Sequence, residues 1–419
     1  MSKFLITGQT PLAGEIRVAG NKNAALPIIA ATVLTDEECV LENLPAIRDV
    51  EAMLALLQDL GKTVERVPPG VVHVHGAITK YAPSAALVRK LRASILFMGA
   101  VLARSKEVEI APPGGCVIGR RGIEGHFEAL SALGASIEIR EHDYRAELVV
   151  SRPAKIFLHE PSVTVTENAM LLAAAIAGET VIENAACEPH VADLAHVLIK
   201  MGAVIQGAGS NQLAINGAKK LHGFAHRIMP DHIEAGTFAI AAACTSGRVL
   251  IHEARREHLQ MTSLYLQRMG MRFQFKDEQT LEVQPSELRA PAAKMQVGVW
   301  PGFPTDLMSP LIVLATQAQG LTLCHDWMYE SRMFFVDKLI AMGAQITLCD
   351  PHRVLVSGPT PLRGQELSSP DIRAGIALVI AGLAARGKSV IDRAELVDRG
   401  YEDIVSRLGK LGAKIARED

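Results

Sequence analysis

The stretch VLIKMGAVIQG, residues 197–207, closes an amphipathic helix on a glycine and opens an alternating strand. Leu194, Val197, Leu198 and Met201 stand at i, i+3, i+4 and i+7, the spacing of one apolar helix face. Gly202 then takes the left-handed position that ends such a helix. The same pattern recurs in LLQDLGKTVERV (56–67), ALSALGASIEIR (129–140), YLQRMGMRFQF (265–275), LIAMGAQITL (339–348) and RLGKLGAKIA (407–416). The six glycines, Gly61, Gly134, Gly202, Gly270, Gly343 and Gly412, are spaced by 73, 68, 68, 73 and 69 residues. A period this regular is an internal repeat, and the fold is read from it.

Upstream of most of these helices lies a second segment, rich in alanine and apolar on most faces: NAALPIIAATVL (23–34), ASILFMGAVLA (93–103), NAMLLAAAIAG (168–178), AGTFAIAAACTSG (235–247) and AGIALVIAGLAARG (374–387). A helix apolar all round is buried all round. Strand-like segments follow, such as CVLENL, EVEIAP, TVIENA, RVLIHEA and SVIDRAE. One unit is therefore buried helix, strand, amphipathic helix and a closing strand pair. Six such units suit two domains of three, with the seam near residue 230 at RIMPDHIEAG. The leading KFLITGQTPLAGEIRVAG adds a strand pair beyond the six.

Composition narrows the function classes. A net charge of −2 and 4% aromatic residues argue against a nucleic-acid surface, and nothing advertises an anionic membrane as partner. Cysteines at 39, 116, 187, 244, 324 and 349 form no C-x-x-C pair, which fits reduced thiols in a cytoplasm. MSKFLITGQT lacks the apolar core of a signal peptide, and AGIALVIAGLAA (374–385) is too short to span a bilayer. The expectation is a soluble cytoplasmic protein. GLAARGKS (382–389) matches the P-loop expression, but it closes a helix and opens a strand, the reverse of the context that motif needs. His73 and His75 alternate along one strand with no further ligand at metal spacing.

Chemistry gathers where polar residues interrupt apolar or glycine-rich sequence. PPGGCVIGRRG (112–122) sets Cys116 beside guanidinium groups, which lower a thiol's pKa, on a glycine loop. Lys22 and Asn23 precede a buried helix, where free N–H groups favour anions, although a solvated lysine and a cap are the default there. Arg89, Lys90 and Arg92, and later Arg332, Arg373 and Arg399, stand at what read as helix starts. Asp306 begins another buried helix, with capping as its default role. Arginines repeated at one end of several units gather on one face, as a polyanionic small substrate requires.

NKNAALPI (21–28), LRASILFMGAVLAR (91–104), PPGGCVIG (112–119), SVTVTEN (162–168), ETVIENAACEP (179–189), PDHIEAGTF (230–238), GFPTD (302–306) and DRGYE (398–402) together resemble the enolpyruvyl transferase family, nearly end to end. The resemblance implies an inside-out α/β barrel architecture of two domains, each of three βαβαββ repeats. One would span 21–229 and the other 1–20 plus 230–419, with the active site in the cleft between them. It implies transfer of the enolpyruvyl group of phosphoenolpyruvate to the 3′-hydroxyl of UDP-N-acetylglucosamine, releasing phosphate, in peptidoglycan precursor synthesis. No metal or organic cofactor is implied, and the protein would be a monomer or weak homo-oligomer. By similarity Cys116, Asp306 and Lys22 are catalytic, Cys116 as the acid and Asp306 as the base. Lys22, Asn23, Arg121, Arg332, Arg373 and Arg399 would hold phosphoenolpyruvate. Arg92, Arg121, Gly122, Ile123, Glu124, Ser162, Val163, Asp306 and Met328 would contact the nucleotide sugar. A thiol at 116 also implies sensitivity to the alkylating epoxide fosfomycin.

The chain departs from the family pattern mainly on the acceptor side. Relatives carry A-R-P-V-D-L-H where this chain has Arg120-Arg121-Gly122-Ile123-Glu124-Gly125-His126. Thr164 stands where glycine is usual, TDLMSP lacks a common glutamine, and Pro370 replaces an alanine. These changes keep two alternatives open: another uridine nucleotide as acceptor, or a non-catalytic nucleotide-sugar-binding paralogue.

Overall fold

The computed structural model describes residues 2–115, 119 and 122–419. They form two compact units, one from residues 20–115 and 122–229, the other from 2–19 and 230–419. Each unit has its own apolar core.

The first unit runs through α1 (Lys22–Ala31), α2 (Arg48–Asp59), α3 (Leu96–Ser105), α4 (Glu124–Ala132), α5 (Val163–Ala173) and α6 (Pro189–Lys200). The second runs through α7 (His232–Cys244), α8 (Gln260–Arg268), α9 (Met308–Gln317), α10 (Val336–Ala341), α11 (Ile372–Ala384) and α12 (Ile404–Lys410). The alternation is the repeat read in the sequence. Odd-numbered helices are almost wholly buried because they carry apolar residues on every face, while even-numbered ones bury a single stripe. In the second unit α7, α9 and α11 pack on one another pairwise. The six repeat glycines all have positive φ, between 79° and 114°, the backbone that glycine adopts without a Cβ penalty.

Each unit carries three sheets outside its buried helices. The strand after a buried helix is central in each four-stranded sheet. It pairs parallel with an edge strand on one side and antiparallel with the next strand on the other. Gly178–Glu183 shows the plan, lying parallel to Lys155–Phe157 and antiparallel to Gln212–Gly217, with Val204–Gln206 beyond. Alternating burial along these strands turns one face to the core. Among the described residues, the sheet of Glu107–Ile110, Tyr144–Leu148 and Ala135–Ile139 has three strands and no parallel edge.

The N-terminal residues join the second unit through pairing. Lys3–Thr7 lies antiparallel between Lys388–Asp392 and Lys414–Glu418, and Ala13–Arg17 lies parallel to Arg248–His252. GLAARGKS indeed ends α11 and leads into the strand Lys388–Asp392. His73 and His75 share the strand Val71–His75, where each meets a different glutamate, Glu38 and Glu65. Among the described residues no helix is long and apolar enough to cross a membrane.

Candidate active site

In the second unit, chemistry converges on Asp306. GFPTD leads through a short 3-10 turn, Thr305–Leu307, into α9. Rather than being left to a capping role, the carboxylate is taken by two guanidinium groups. Arg332 Nη2 donates to Asp306 Oδ1 (3.2 Å) and Arg373 Nη2 to Oδ2 (2.8 Å). Both arginines are buried, so the pairs act where screening by water is weak.

Asp326, Tyr401 and Asp371 surround these arginines, and none was named as a candidate from the sequence. Asp326, wholly buried, accepts from the Thr305 hydroxyl and from the amides of Met328 and Tyr329. Burial raises its pKa against the opposing pull of those donors and of Arg332. Arg332 Nε lies 3.9 Å from Asp326 Oδ2, too long for a hydrogen bond, and this buried N–H has no partner among the described residues. Tyr401, from the DRGYE motif, accepts from Arg373 Nη1 (3.1 Å), and its hydroxyl lies 3.0 Å from Thr237 Oγ1. Burial opposes the charge on Arg373, but Asp306, Tyr401 and Asp231 outweigh it, and its pKa rises. Asp371 caps α11, accepting from the amides of Arg373 and Ala374, which fixes Arg373 in the first turn.

His232 opens α7 behind Asp231, whose carboxylate caps that helix. Its ring contacts His258 and Trp300 edge-on, at centroid distances of 6.1 and 5.9 Å. Burial lowers its pKa to about 4, against the pull of nearby Asp306 and with the push of Arg373, so the ring is neutral near pH 7. Arg332 lies in a turn and Arg399 ends a 3-10 helix, Ala394–Arg399, so neither stands at a helix start as the sequence pattern suggested. Met328 is half-buried beside Asp326.

In the first unit Lys22 is the first residue of α1, capped by Asn21, whose side chain accepts from Ala24 N. It is buried rather than solvated, its Nζ 2.7 Å from Asp49 Oδ2. Asn23 follows it, half-buried. Cys116 and Arg121 lie outside the described residues. The segment leading to them packs tightly, since a Cβ on Gly114 would sit 1.7 Å from the Arg89 carbonyl oxygen.

The first unit also holds a cavity of about 200 Å³ between the start of α4 and the strand Lys155–Phe157. Gly122, Glu124 and Ser162 line it, joined by Glu128, His159 and Glu160, which the sequence pattern had not flagged. Arg92 Nη2 donates to the Gly122 carbonyl (2.5 Å), Ile123 precedes α4 and Val163 begins α5. The glycine at 122 and the glutamate at 124 are linked, because a Cβ on Gly122 would sit 2.2 Å from Glu124 Oε2. The longer acid occupies the space that a side chain at 122 would need. Asp306 and Met328 sit in the other unit. Among the described residues no group of three His, Cys, Asp or Glu side chains is placed to hold a metal ion.

A carboxylate between two buried arginines, on a three-fold helix-and-sheet repeat, offers both a proton acceptor and cations that suit anions. The family model described as EPSP synthase (3-phosphoshikimate 1-carboxyvinyltransferase) matches residues 6–408, and the chain belongs to this family of enolpyruvyl transferases. Within it, the chain is 45% identical to a UDP-N-acetylglucosamine 1-carboxyvinyltransferase from Treponema denticola, across 99% of both chains. The counterpart from Bradyrhizobium diazoefficiens is also 45% identical, across 99% of this chain and 98% of that one. Among solved structures, the enolpyruvyl transferase NikO from Streptomyces tendae superposes with a TM-score of 0.89 at 23% identity, covering 99% of this chain and 98% of that one. EPSP synthase from Acinetobacter baumannii gives 0.77 at 19% identity over the full length of both. These two establish the fold.

Proposed function

We propose that this enzyme transfers the enolpyruvyl group of phosphoenolpyruvate to the 3′-hydroxyl of UDP-N-acetylglucosamine and releases phosphate, an early step toward peptidoglycan. The observation that carries the reading is Asp306 held between Arg332 and Arg373. It combines a proton acceptor with cations for a substrate bearing both phosphate and carboxylate. The acceptor's identity is supported by full-length relatives named for it.

The chemistry runs in two stages. In addition, a proton reaches C3 of phosphoenolpyruvate while the acceptor oxygen bonds to C2, and Asp306 takes the hydroxyl proton. In elimination, C3 gives up a proton, the bond from C2 to the phosphate oxygen breaks, and phosphate leaves with that electron pair. Cys116 is the proposed acid at C3. Lys22, Asn23, Arg121, Arg332, Arg373 and Arg399 are the proposed contacts to the anionic groups, which need charge-assisted donors in both stages. The unpartnered Arg332 N–H supports an anion there. Arg92, Gly122, Ile123, Glu124, Ser162 and Val163 are proposed for the nucleotide sugar. The carboxylates lining the cavity suit ligand N–H and O–H groups. A cytoplasmic setting is supported by Cys39, Cys187, Cys244, Cys324 and Cys349, all free thiols.

The test is phosphate release from phosphoenolpyruvate with UDP-N-acetylglucosamine, UMP or shikimate 3-phosphate as acceptor. Release that depends on UDP-N-acetylglucosamine is expected. Release with UMP or shikimate 3-phosphate alone would replace the acceptor, and silence with all three in folded protein would overturn the reading.

A further inference from the structure

A wholly buried carboxylate in the second unit, Asp326, joins the two segments that carry Asp306 and Arg332. It follows the strand Gly320–His325, and its backbone is paired with His352. The Asp326 amide donates to the His352 carbonyl (2.8 Å), and His352 Nδ1 lies 2.7 Å from the Asp326 carbonyl oxygen. From that fixed point the side chain reaches two separate stretches of chain. Oδ2 accepts from the hydroxyl of Thr305, which shares a 3-10 turn with Asp306. Oδ1 accepts from the amides of Met328 (3.0 Å) and Tyr329 (3.3 Å), in the segment that leads to Arg332. The Tyr329 ring in turn has the Arg332 guanidinium over it, 5.4 Å from its centre. The partners of the carboxylate are donors, as its ionised form requires.

The charge on Asp326 has a second effect. A carboxylate between two guanidinium groups is held in its ionised form, and that makes it a poor proton acceptor. Arg332, however, faces two carboxylates. Its Nη2 lies 3.2 Å from Asp306 Oδ1, and its Nε lies 3.9 Å from Asp326 Oδ2. Arg332 and Asp326 are both buried, so water screens this second pair little. The negative charge of Asp326 therefore offsets part of the positive charge that Arg332 brings to Asp306. The other charged or titratable groups near Asp306 are Arg373 and His232, with Asp231 and Tyr401 around Arg373.

We propose that Asp326 is the positioning residue of this site: it fixes the segments of Asp306 and Arg332 and, by sharing the Arg332 charge, leaves Asp306 basic enough to take the acceptor's hydroxyl proton. This rests on the reaction proposed above and adds a residue that acts through its neighbours. The test is the pH dependence of kcat, read by phosphate release at saturating substrates, for wild type, Asp326→Asn and Thr305→Val. Asp326→Asn keeps the shape and removes the charge. It should lower kcat about 10-fold or more, move the acid limb of kcat down by about one pH unit, and leave the phosphoenolpyruvate KM no higher than in wild type. Thr305→Val keeps every charge and cuts the tie to the Asp306 turn, so it should lower kcat with the acid limb in place. An Asp326→Asn enzyme with a lower kcat but an unmoved limb, or with a raised phosphoenolpyruvate KM, marks a merely structural role and overturns the proposal. So does an Asp326→Asn protein that does not fold, or a Thr305→Val enzyme that turns over like wild type. Those outcomes overturn this inference alone, whereas folded wild-type protein that releases no phosphate overturns the proposed reaction and this inference with it.

Discussion

Replacing Gly122 by alanine tests whether Gly122 and Glu124 are a matched pair. The added Cβ would lie 2.2 Å from Glu124 Oε2, whereas ordinary contact begins at 3.4 Å, so the carboxyl must withdraw by about 1.2 Å. Gly122 does not occupy the left-handed region, so alanine brings no backbone strain and the contact is isolated. Glu124 is exposed at the start of α4, so its carboxyl withdraws by moving to another staggered rotamer and stability should move by less than ~0.5 kcal/mol. Because Glu124 lines the cavity proposed for the acceptor, Gly122→Ala should weaken UDP-N-acetylglucosamine about 5-fold, read by calorimetry, with an unchanged melting temperature. Glu124→Asp shortens the side chain by one bond, about 1.5 Å, and clears the overlap. The double variant should therefore bind better than the sum of the singles predicts, with a coupling of about 1 kcal/mol. Additive losses, or a Gly122→Ala variant that binds like wild type, would refute the pairing.

Asp306→Asn should fold but lose at least about 100-fold in kcat, because the amide cannot take the hydroxyl proton; phosphate release checks it, and near-normal turnover would remove Asp306 as the base. Gly114→Ala forces the backbone away from the Arg89 carbonyl and should lower kcat/KM without unfolding the first unit, read by kinetics beside circular dichroism. For acid stability the sign is set by His126 and His232, whose folded pKa values, about 3 and about 4, lie below the ordinary 6.5. The unfolded chain binds more protons between those values, so stability should be full above pH 6.5 and fall as pH drops toward 4, by about 3 kcal/mol for His232. Urea denaturation from pH 7 to 4 checks this, and His232→Gln should flatten the slope.

The sequence by itself determined the repeat, and through it the fold class. Six glycines about 70 residues apart, each after an amphipathic helix, are local signals, because a helix stop and an apolar stripe depend only on neighbouring residues. It also made Lys22, Asp306, Arg332 and Arg373 candidates, by setting charge inside apolar or motif-bearing stretches. Only the tertiary structure decided who meets whom. Asp306 reads as a helix cap, yet its oxygens go to Arg332 and Arg373, the second of them 67 residues away. Lys22 reads as a solvated lysine, yet it is buried against Asp49, an unremarkable acid in the next helix. Asp326 stood in no motif, Tyr401 and Thr237 stood in two separate ones with nothing to pair them, and the Gly122–Glu124 fit looked like two unrelated departures. Such pairings depend on where distant segments bring their side chains, and a charge's partner is set by that approach rather than by its sequence neighbours.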